Sequence, residues 1–507
     1  MLDLGTSLLA SVERDPRALA IVDGETRLTY REWYTRISSL VAGLDAMGLQ
    51  RGDRILTLMQ NRWENATLHW ACQLAGLVIT PLNWRAKADE VAYAVTDSEA
   101  RAIFYEAVAA PEVMAAPEAA ALPRIMAGEP TDDAASLSSM LAAGAADARP
   151  RAAAEDWSLM LYTSGTTSRP KGVPRRHRAE RAAAVAHVAQ NLYHHGERTL
   201  GVMPLYHTMG VRSLLATSLI GGTFVCLPRF DVAGALSAIE AERVTNLYLV
   251  PTLYHDIVHH ESFSKDRVRS VTKLGFAGAS MTDGLMKKLD EAFQPALFVN
   301  HYGSSEVYTF TIDQKAPLKP GSAGRAGINQ MIRVVPLGAR STETAAKPGE
   351  EGEIIALLRG DESFEGYWNR PESNEKALRD GWYFTGDTGF FDADGDLFVT
   401  GRVDDMIITG GENVSPVEVE SCLSLHEKVL EVAVVGLPDE RWGKVVTAFV
   451  KRAGAITAEE LDDHCRTSGL ANFRRPRSYV FVDSIPKSPV GKLLRRKLVA
   501  GEYDSEA

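Results

Sequence analysis

The chain has 507 residues, 45% hydrophobic and 24% charged, with a formal net charge of −11. A chain of this length divides into about two to four domains and buries its cores without disulfides or metals. Its acidic balance excludes a general nucleic-acid binder, which needs a basic surface to neutralise phosphates. Cys72, Cys226, Cys422 and Cys465 stand far apart with no CxxC spacing, as expected of reduced thiols. The N-terminal stretch carries Asp3 and no basic region, so a secretory signal is not expected. No apolar run is long enough to span a bilayer, and the last residues carry no address signal. These features lead to a cytoplasmic protein with neither nucleic acid nor membrane as partner.

In chain order, Leu28-Thr29-Tyr30 predicts a short strand entering a helix through Leu44. Arg54 to Met59 predicts a buried strand, followed by a helix near Trp63–Leu77 and a strand at Val78–Thr80. This alternation predicts a parallel α/β sheet. Residues 107 to 155 are rich in Ala and Pro with little periodicity, and predict surface connection with one or two short helices. Apolar runs return at Leu200–Met203, Thr223–Leu227, Asn246–Val250, Lys273–Phe276 and Leu297–Asn300, with helical segments between them. His194-His195 predicts a loop, and His255 with His259 a polar helix face rather than a metal pair. After Gly349 come short strands, Gly352–Leu357, Trp382–Thr385 and Leu397–Thr400, with a hairpin signal at Asp394-Gly395. From about Asp405 a compact α+β unit follows, with strands at Glu431–Val435 and Thr447–Val450 and a helix at Ala458–Ser468.

The strongest local signal is LMLYTSGTTSRPKG, Leu159 to Gly172. A buried strand runs into a loop of glycine, serine and threonine that closes on Lys171. Glycine lets backbone N–H groups approach phosphate oxygens, hydroxyls add donors, and lysine adds countercharge. The Walker A spacing is absent. A flexible surface turn is the plainer reading of the same composition.

This segment resembles the phosphate loop of the adenylate-forming superfamily, with Ser168 where most members carry Gly. Further motifs follow in that family's order: Met203–His207, Gly278-Ala279-Ser280, Tyr302-Gly303-Ser304-Ser305-Glu306, Thr385-Gly386-Asp387, Gly401–Asp405 and Pro486–Lys492. The resemblance implies an α/β fold: a large N-terminal domain of stacked α/β subdomains plus a small β-rich subdomain, and a small mobile α+β C-terminal domain. The division would fall between residues 1–403, holding ATP and the carboxylate, and 404–507. It implies an ATP-dependent ligase that forms an acyl-adenylate and then an acyl-thioester, with ATP, Mg²⁺ and CoA.

Site roles follow from the same resemblance. Lys492 would bridge carboxylate and phosphate, His207 would border the carboxylate pocket, and Asp404 would be the hinge. Thr163, Ser164, Gly165, Thr166, Thr167 and Lys171 would hold phosphates, and Glu306 with Thr163 the Mg²⁺. Gly278, Ala279 and Ser280 would flank the adenine and Tyr302 would stack on it, with His301, Gly303, Ser304 and Ser305 as further cofactor-binding positions; Asp387 and Arg402 would take the ribose. The C-terminal stretches are similar to 4-chlorobenzoate–CoA ligase-like enzymes. That similarity implies a CoA site at Gly411, Trp442, Phe473, Arg475 and Arg477. Trp442 reads equally well as a packed core residue, and Gly410-Gly411 as a hairpin turn.

The pocket positions implied are His207, Tyr248, Ala279, Gly303 and Tyr308, which suit a small aromatic or heteroaromatic acid. Arg212 is out of character in an apolar segment; it would meet a second carboxylate, or reach solvent or a structural Glu. The alternatives are a ligase for short aliphatic or dicarboxylic acids, and an adenylating enzyme that loads a carrier protein. A phosphotransferase lacks its Walker spacing. A catalytically dead module would not need Lys171, Glu306, Asp387, Arg402 and Lys492 together. A homodimer is compatible with this reading.

Overall fold

The computed structural model describes residues 2–129, 134–163, 169–339, 341–403, 405–488 and 493–505. Among them the strands form three sheets. The first runs, edge to edge, Ala135–Ser136, Arg124–Ala127, Ala102–Glu106, Arg54–Leu58, Val78–Pro81, Trp157–Thr163 and Lys171–Arg176. All neighbours are parallel except the last pair, which face each other across the phosphate-loop segment. Helix entry is encoded locally. Thr29 caps the helix Tyr30–Ala46, and Glu32 reaches back to accept from Thr29 N at 2.8 Å.

Residues 107 to 155 depart from the expectation of surface connection. They include the strands Arg124–Ala127 and Ala135–Ser136, and the helices Ala110–Ala115, Pro117–Ala120 and Leu137–Ala142. Val113, Ile125, Met126 and Leu137 are buried. The helices and strands here are too short, and too rich in alanine, to show a period.

The second sheet carries the apolar runs as a parallel block. Its order is Leu297–Tyr302, Lys273–Phe276, Asn246–Leu249, Arg198–Gly201, Thr223–Cys226 and Leu19–Asp23. Strands buried on both faces read as continuous apolar runs. The β-rich part is an antiparallel continuation of this same sheet, joined where Ser322–Ala326 pairs with Leu397–Arg402. The hairpin expected at Asp394-Gly395 joins Trp382–Phe391 to Leu397–Arg402. Asp394 and Asp396 there lie 2.9 and 2.7 Å from Lys319 Nζ, so the acidic turn is ion-paired.

The C-terminal unit has its own sheet. Its order is Glu412–Val414, Ile407–Thr409, Gly443–Arg452 and Val429–Asp439, with Ser478–Phe481 parallel on Gly443–Arg452. Helices Pro416–Ser424 and Ala458–Thr467 cover a core of Ile407, Val419, Leu423, Val434, Ala448 and Leu461. The predicted polar face of the helix Pro251–His259 touches this unit: His255 Nε2 is 3.2 Å from the Leu430 carbonyl. The four cysteines are free thiols, as expected. Among the described residues no helix is long and apolar enough to cross a membrane.

Candidate active site

Three predicted segments leave the second sheet at the carboxyl ends of its parallel strands, where α/β sheets bind ligands. Met203–His207 follows Arg198–Gly201, Gly278–Ser280 follows Lys273–Phe276, and Tyr302–Glu306 begins at the end of Leu297–Tyr302. Gly278 turns the chain there at φ +84°. The bend after Tyr302 closes on itself: Ser304 N donates to Val307 O at 2.8 Å, and Ser304 Oγ accepts from the N–H groups of Glu306 and Val307. Gly303 has no room for a side chain, because a Cβ would sit 2.1 Å from the Tyr308 carbonyl oxygen.

The β-rich part supplies the other wall. Tyr302 OH donates to Asp387 Oδ2 at 2.5 Å, and Arg402 Nη1 donates to Asp387 Oδ1 at 2.9 Å. Asp387 N is anchored in turn on Thr385 Oγ1 at 3.0 Å. The structure therefore brings together Tyr302, Asp387 and Arg402, three residues that lie up to 100 positions apart in the chain.

The phosphate-loop hairpin is tied to this wall by residues the sequence reading did not single out. Tyr367 OH donates to Glu306 Oε1 at 2.8 Å, and Lys171 Nζ lies 4.3 Å over the Tyr367 ring. Burial pulls the Lys171 ammonium below its ordinary pKa range, and the Glu306 carboxylate opposes that shift. Arg175, wholly buried, donates to Glu180 Oε1 at 2.7 Å and to the Glu306 carbonyl at 2.9 Å. Thr163 Oγ1 sits 3.5 Å from the Lys171 carbonyl. Glu306 and Thr163 offer the hard oxygens that Mg²⁺ takes, and Lys171 adds the countercharge, so this donor set fits the expected cation beside phosphate. Ser164, Gly165, Thr166, Thr167 and Ser168 lie outside the described residues, as do Asp404 and Lys492.

The pocket positions divide. His207 caps the helix Thr208–Leu219, its ring Nδ1 accepting from Met209 N at 3.3 Å, which leaves the ring proton on Nε2. Ala279 is half-buried in its loop. Tyr248 and Tyr308 are buried, but the Tyr308 hydroxyl donates to Glu180 Oε2 at 3.1 Å, beneath the Arg175 guanidinium. It is thus committed to the protein rather than to a ring substituent. Arg212 is 2% exposed and does not reach solvent. It donates to the Tyr308 carbonyl oxygen, and Nη1 lies 3.4 Å from Tyr248 OH. Its charge also offsets the burial that raises the Glu362 carboxyl.

His301 points into the same cluster. Tyr248 pairs with Gly275 across adjacent strands, Gly275 pairs with Val299, and His301 is two residues beyond. The period of two puts Tyr248, Gly275 and His301 on one sheet face. The missing side chain at Gly275 lets the Tyr248 and His301 rings approach to 4.9 Å. His187 stacks on His301 at 5.2 Å, and Asn191 bonds both. The i,i+4 spacing of His187 and Asn191 was the signal available for this pair.

In the C-terminal unit, Gly410 and Gly411 form the two-residue turn of the hairpin Ile407–Thr409/Glu412–Val414, both at positive φ. Trp442 packs on this turn, half-buried rather than in the core, with Arg441 and Arg477 guanidinium groups 4.9 and 4.8 Å from its ring. Phe473 is 37% exposed, whereas Arg475 is engaged by Asp462 at 3.2 Å.

Comparison with known proteins agrees with this architecture. The AMP-binding enzyme family matches residues 8–368, and the AMP-binding enzyme C-terminal domain matches residues 418–492. A 4-chlorobenzoate–CoA ligase from Arthrobacter sp is 34% identical over 96% of this chain and 93% of its own. A feruloyl-CoA synthase from Amycolatopsis sp is 35% identical over 97% of each chain. The crystal structure of the anthranilate CoA ligase AuaEII with anthranoyl-AMP superposes with a TM-score of 0.90 at 25% identity, covering 99% of this chain and 97% of that one. The chain belongs to the AMP-binding enzyme family and is an AMP-forming acyl/aryl-CoA ligase that uses a carboxylic acid, ATP, Mg²⁺ and CoA.

Proposed function

We propose that the acid is a small aromatic or heteroaromatic carboxylic acid, adenylated between the two sheets and handed to CoA. A carboxylate oxygen attacks the α-phosphorus of ATP; the bond to the bridging oxygen breaks, and pyrophosphate leaves with the electron pair. The CoA thiolate then attacks the acyl carbon, and AMP leaves. In this reading Tyr302 and Gly278–Ser280 flank the adenine, while Asp387 and Arg402 hold the ribose. Lys171, Ser164, Gly165, Thr166 and Thr167 hold the phosphates, and Lys492 draws the two anions together. Mg²⁺ supplies neutralisation of phosphate charge when bound, held by Glu306 and Thr163. The C-terminal unit, 404–507, turns about Asp404 to bring Gly411, Trp442, Phe473 and Arg477 to CoA, with Arg475 nearby. The protein works in the cytoplasm, without nucleic acid or membrane, and a homodimer is compatible with it.

One observation supports an aromatic acid above the others. Tyr248, His187 and His301 lie within 4.8 to 5.2 Å of one another, centroid to centroid. Their rings form a tight buried floor that includes His301, two residues before Gly303, and such close packing favours a short flat ligand over a long acyl chain. The relatives' names, a 4-chlorobenzoate ligase, a feruloyl synthase and an anthranilate ligase, point the same way. The test is ATP- and CoA-dependent turnover across aryl, heteroaryl, alicyclic, short aliphatic and dicarboxylic acids. Aryl or heteroaryl acids should show the highest kcat/KM. A short aliphatic or dicarboxylic acid in first place would overturn the reading. Adenylate formation without transfer to CoA would instead assign the thiol to a carrier protein.

A further inference from the structure

The floor cluster has a hydrogen-bonding polarity that can be worked out atom by atom. Asn191 Nδ2 lies 2.8 Å from the His187 carbonyl, which can only accept, and this fixes the orientation of the amide. The same Nδ2 faces His187 Nδ1 at 3.1 Å, so Nδ1 carries the lone pair and the proton of His187 sits on Nε2. Asn191 Oδ1 can only accept, and His301 Nε2 lies 3.0 Å from it, so the proton of His301 is on Nε2 and Nδ1 is a bare acceptor. Both rings are buried, and burial together with the Arg212 charge holds both far below the ordinary histidine range. Each ring therefore carries one proton.

Three buried polar atoms then have no partner among the described residues: the donor His187 Nε2–H, the donor Arg212 Nε–H and the acceptor His301 Nδ1. Leaving such groups unmade is costly, and a site built this way discriminates strongly in favour of a ligand group that completes it. The group must both accept and donate. A second carboxylate only accepts, and it would confront the lone pair of His301, whose protonation burial and Arg212 oppose. A neutral ring amine donates to His301 Nδ1, but its lone pair is delocalised into the ring and accepts poorly from the two N–H donors. A halogen uses neither polarity. A hydroxyl satisfies both.

We propose that His187, His301 and Arg212 select an acid bearing a ring hydroxyl, so that the preferred substrate is a hydroxylated aromatic acid. This rests on the aromatic-acid reading above. The experiment compares kcat/KM, by pyrophosphate release from the full-length chain, for benzoate, its hydroxy derivatives at each ring position, and the matching benzene dicarboxylates. One hydroxy acid should exceed benzoate by about 10²-fold or more. In His301→Leu and His187→Phe that ratio should fall below about tenfold. The change should come mainly in KM, whatever happens to the absolute rate. Should His301→Leu fail to fold, the wild-type series and His187→Phe still decide the matter. Equal turnover of benzoate and its hydroxy derivatives, a preference for the dicarboxylate, or a ratio that survives both substitutions would overturn the proposal. If no aryl acid reacts while another acid class does, the aromatic reading itself falls, and this inference with it; equal rates among aryl acids sink this inference alone.

Discussion

Asp387 has both carboxylate oxygens engaged, one by Tyr302 and one by Arg402, whereas His301 has one ring nitrogen bonded to Asn191 and the other without a partner among the described residues. The two groups stand on the strands Trp382–Phe391 and Leu297–Tyr302 of the same sheet. The first wall is held in shape by its own hydrogen bonds before any ligand arrives, which keeps reorganisation out of the reaction. The floor is held by Asn191 on one side only and leaves its remaining polarity to be met by what binds. Rigid wall and open floor suit a protein whose nucleotide is fixed by the reaction and whose acid must be chosen.

The largest effect should come from breaking the wall. Asp387→Ala leaves the Tyr302 hydroxyl and the Arg402 guanidinium without their shared acceptor and removes the proposed ribose contact. Two charge-assisted or buried hydrogen bonds lost together amount to about 10³-fold in kcat/KM for ATP. ATP–pyrophosphate exchange at varied ATP and acid gives the number. The comparison predicts that KM for the acid stays within about threefold. A matching rise in KM for the acid would show that wall and floor are one unit.

The wall was legible in the sequence because its parts sit in short motifs, each with turn or loop residues that mark it: Tyr302–Glu306, Thr385–Asp387 and Gly401-Arg402. The alternating runs likewise exposed the parallel strands, since a strand buried on both faces needs apolar residues throughout. What did not show was long-range. Arg175 and Glu180 read as ordinary charges near a strand end, yet they form a fully buried pair under Tyr308. Tyr367 lies 61 positions from the Glu306 that it bonds. The polarity of the floor depends on Gly275 letting two neighbouring strands bring Tyr248 and His301 together, and no local pattern reports the absence of a side chain one strand away. The short strand Arg124–Ala127 was missed for a simpler reason: four residues carry too little period to separate strand from helix.

A middle-sized effect should follow from loading Gly303 itself. In Gly303→Ala the new Cβ meets the Tyr308 carbonyl oxygen, which also accepts from Arg212. The strain is borne by backbone rather than by a flexible side-chain end. Overpacking of this kind costs about 1–3 kcal/mol. It should appear as a lower denaturant midpoint at unchanged slope. Because Gly303 directly follows Tyr302 of the wall and His301 of the floor, KM should rise for ATP and for the acid alike. A change confined to one of them would place Gly303 within that region and sharpen the boundary.

The smallest effect tests the floor through pH. His187 and His301 are neutral in the folded protein, their pKa lowered by burial, by each other's ring in the case of His187, and by Arg212. The unfolded chain binds a proton at each near pH 6.5. Between the folded and unfolded values the unfolded state holds more protons, so stability rises with pH there. Their contribution is complete above about pH 6.5 and is lost as the pH falls, by at most about 1.4 kcal/mol per pH unit for each group. Two other buried histidines, His69 pushed down to about 3 and His177 to about 4, act with the same sign outside the site. Glu64, whose carboxyl burial raises to about 7, acts with the opposite sign in the same window, so the histidines are read by difference. In denaturant titrations from pH 7.5 down to 5, His301→Leu should lose one histidine's share of the fall in stability relative to the unsubstituted protein. Its absolute stability at pH 7.5 should also drop by about 1–3 kcal/mol, because Asn191 Oδ1 loses its donor. Asp387→Ala should leave the slope between pH 7.5 and 5 untouched. If His301→Leu kept the full slope, His301 would already take up its proton in the folded state. Its Nδ1 would then be a donor, and the floor would suit a second carboxylate in place of a hydroxyl.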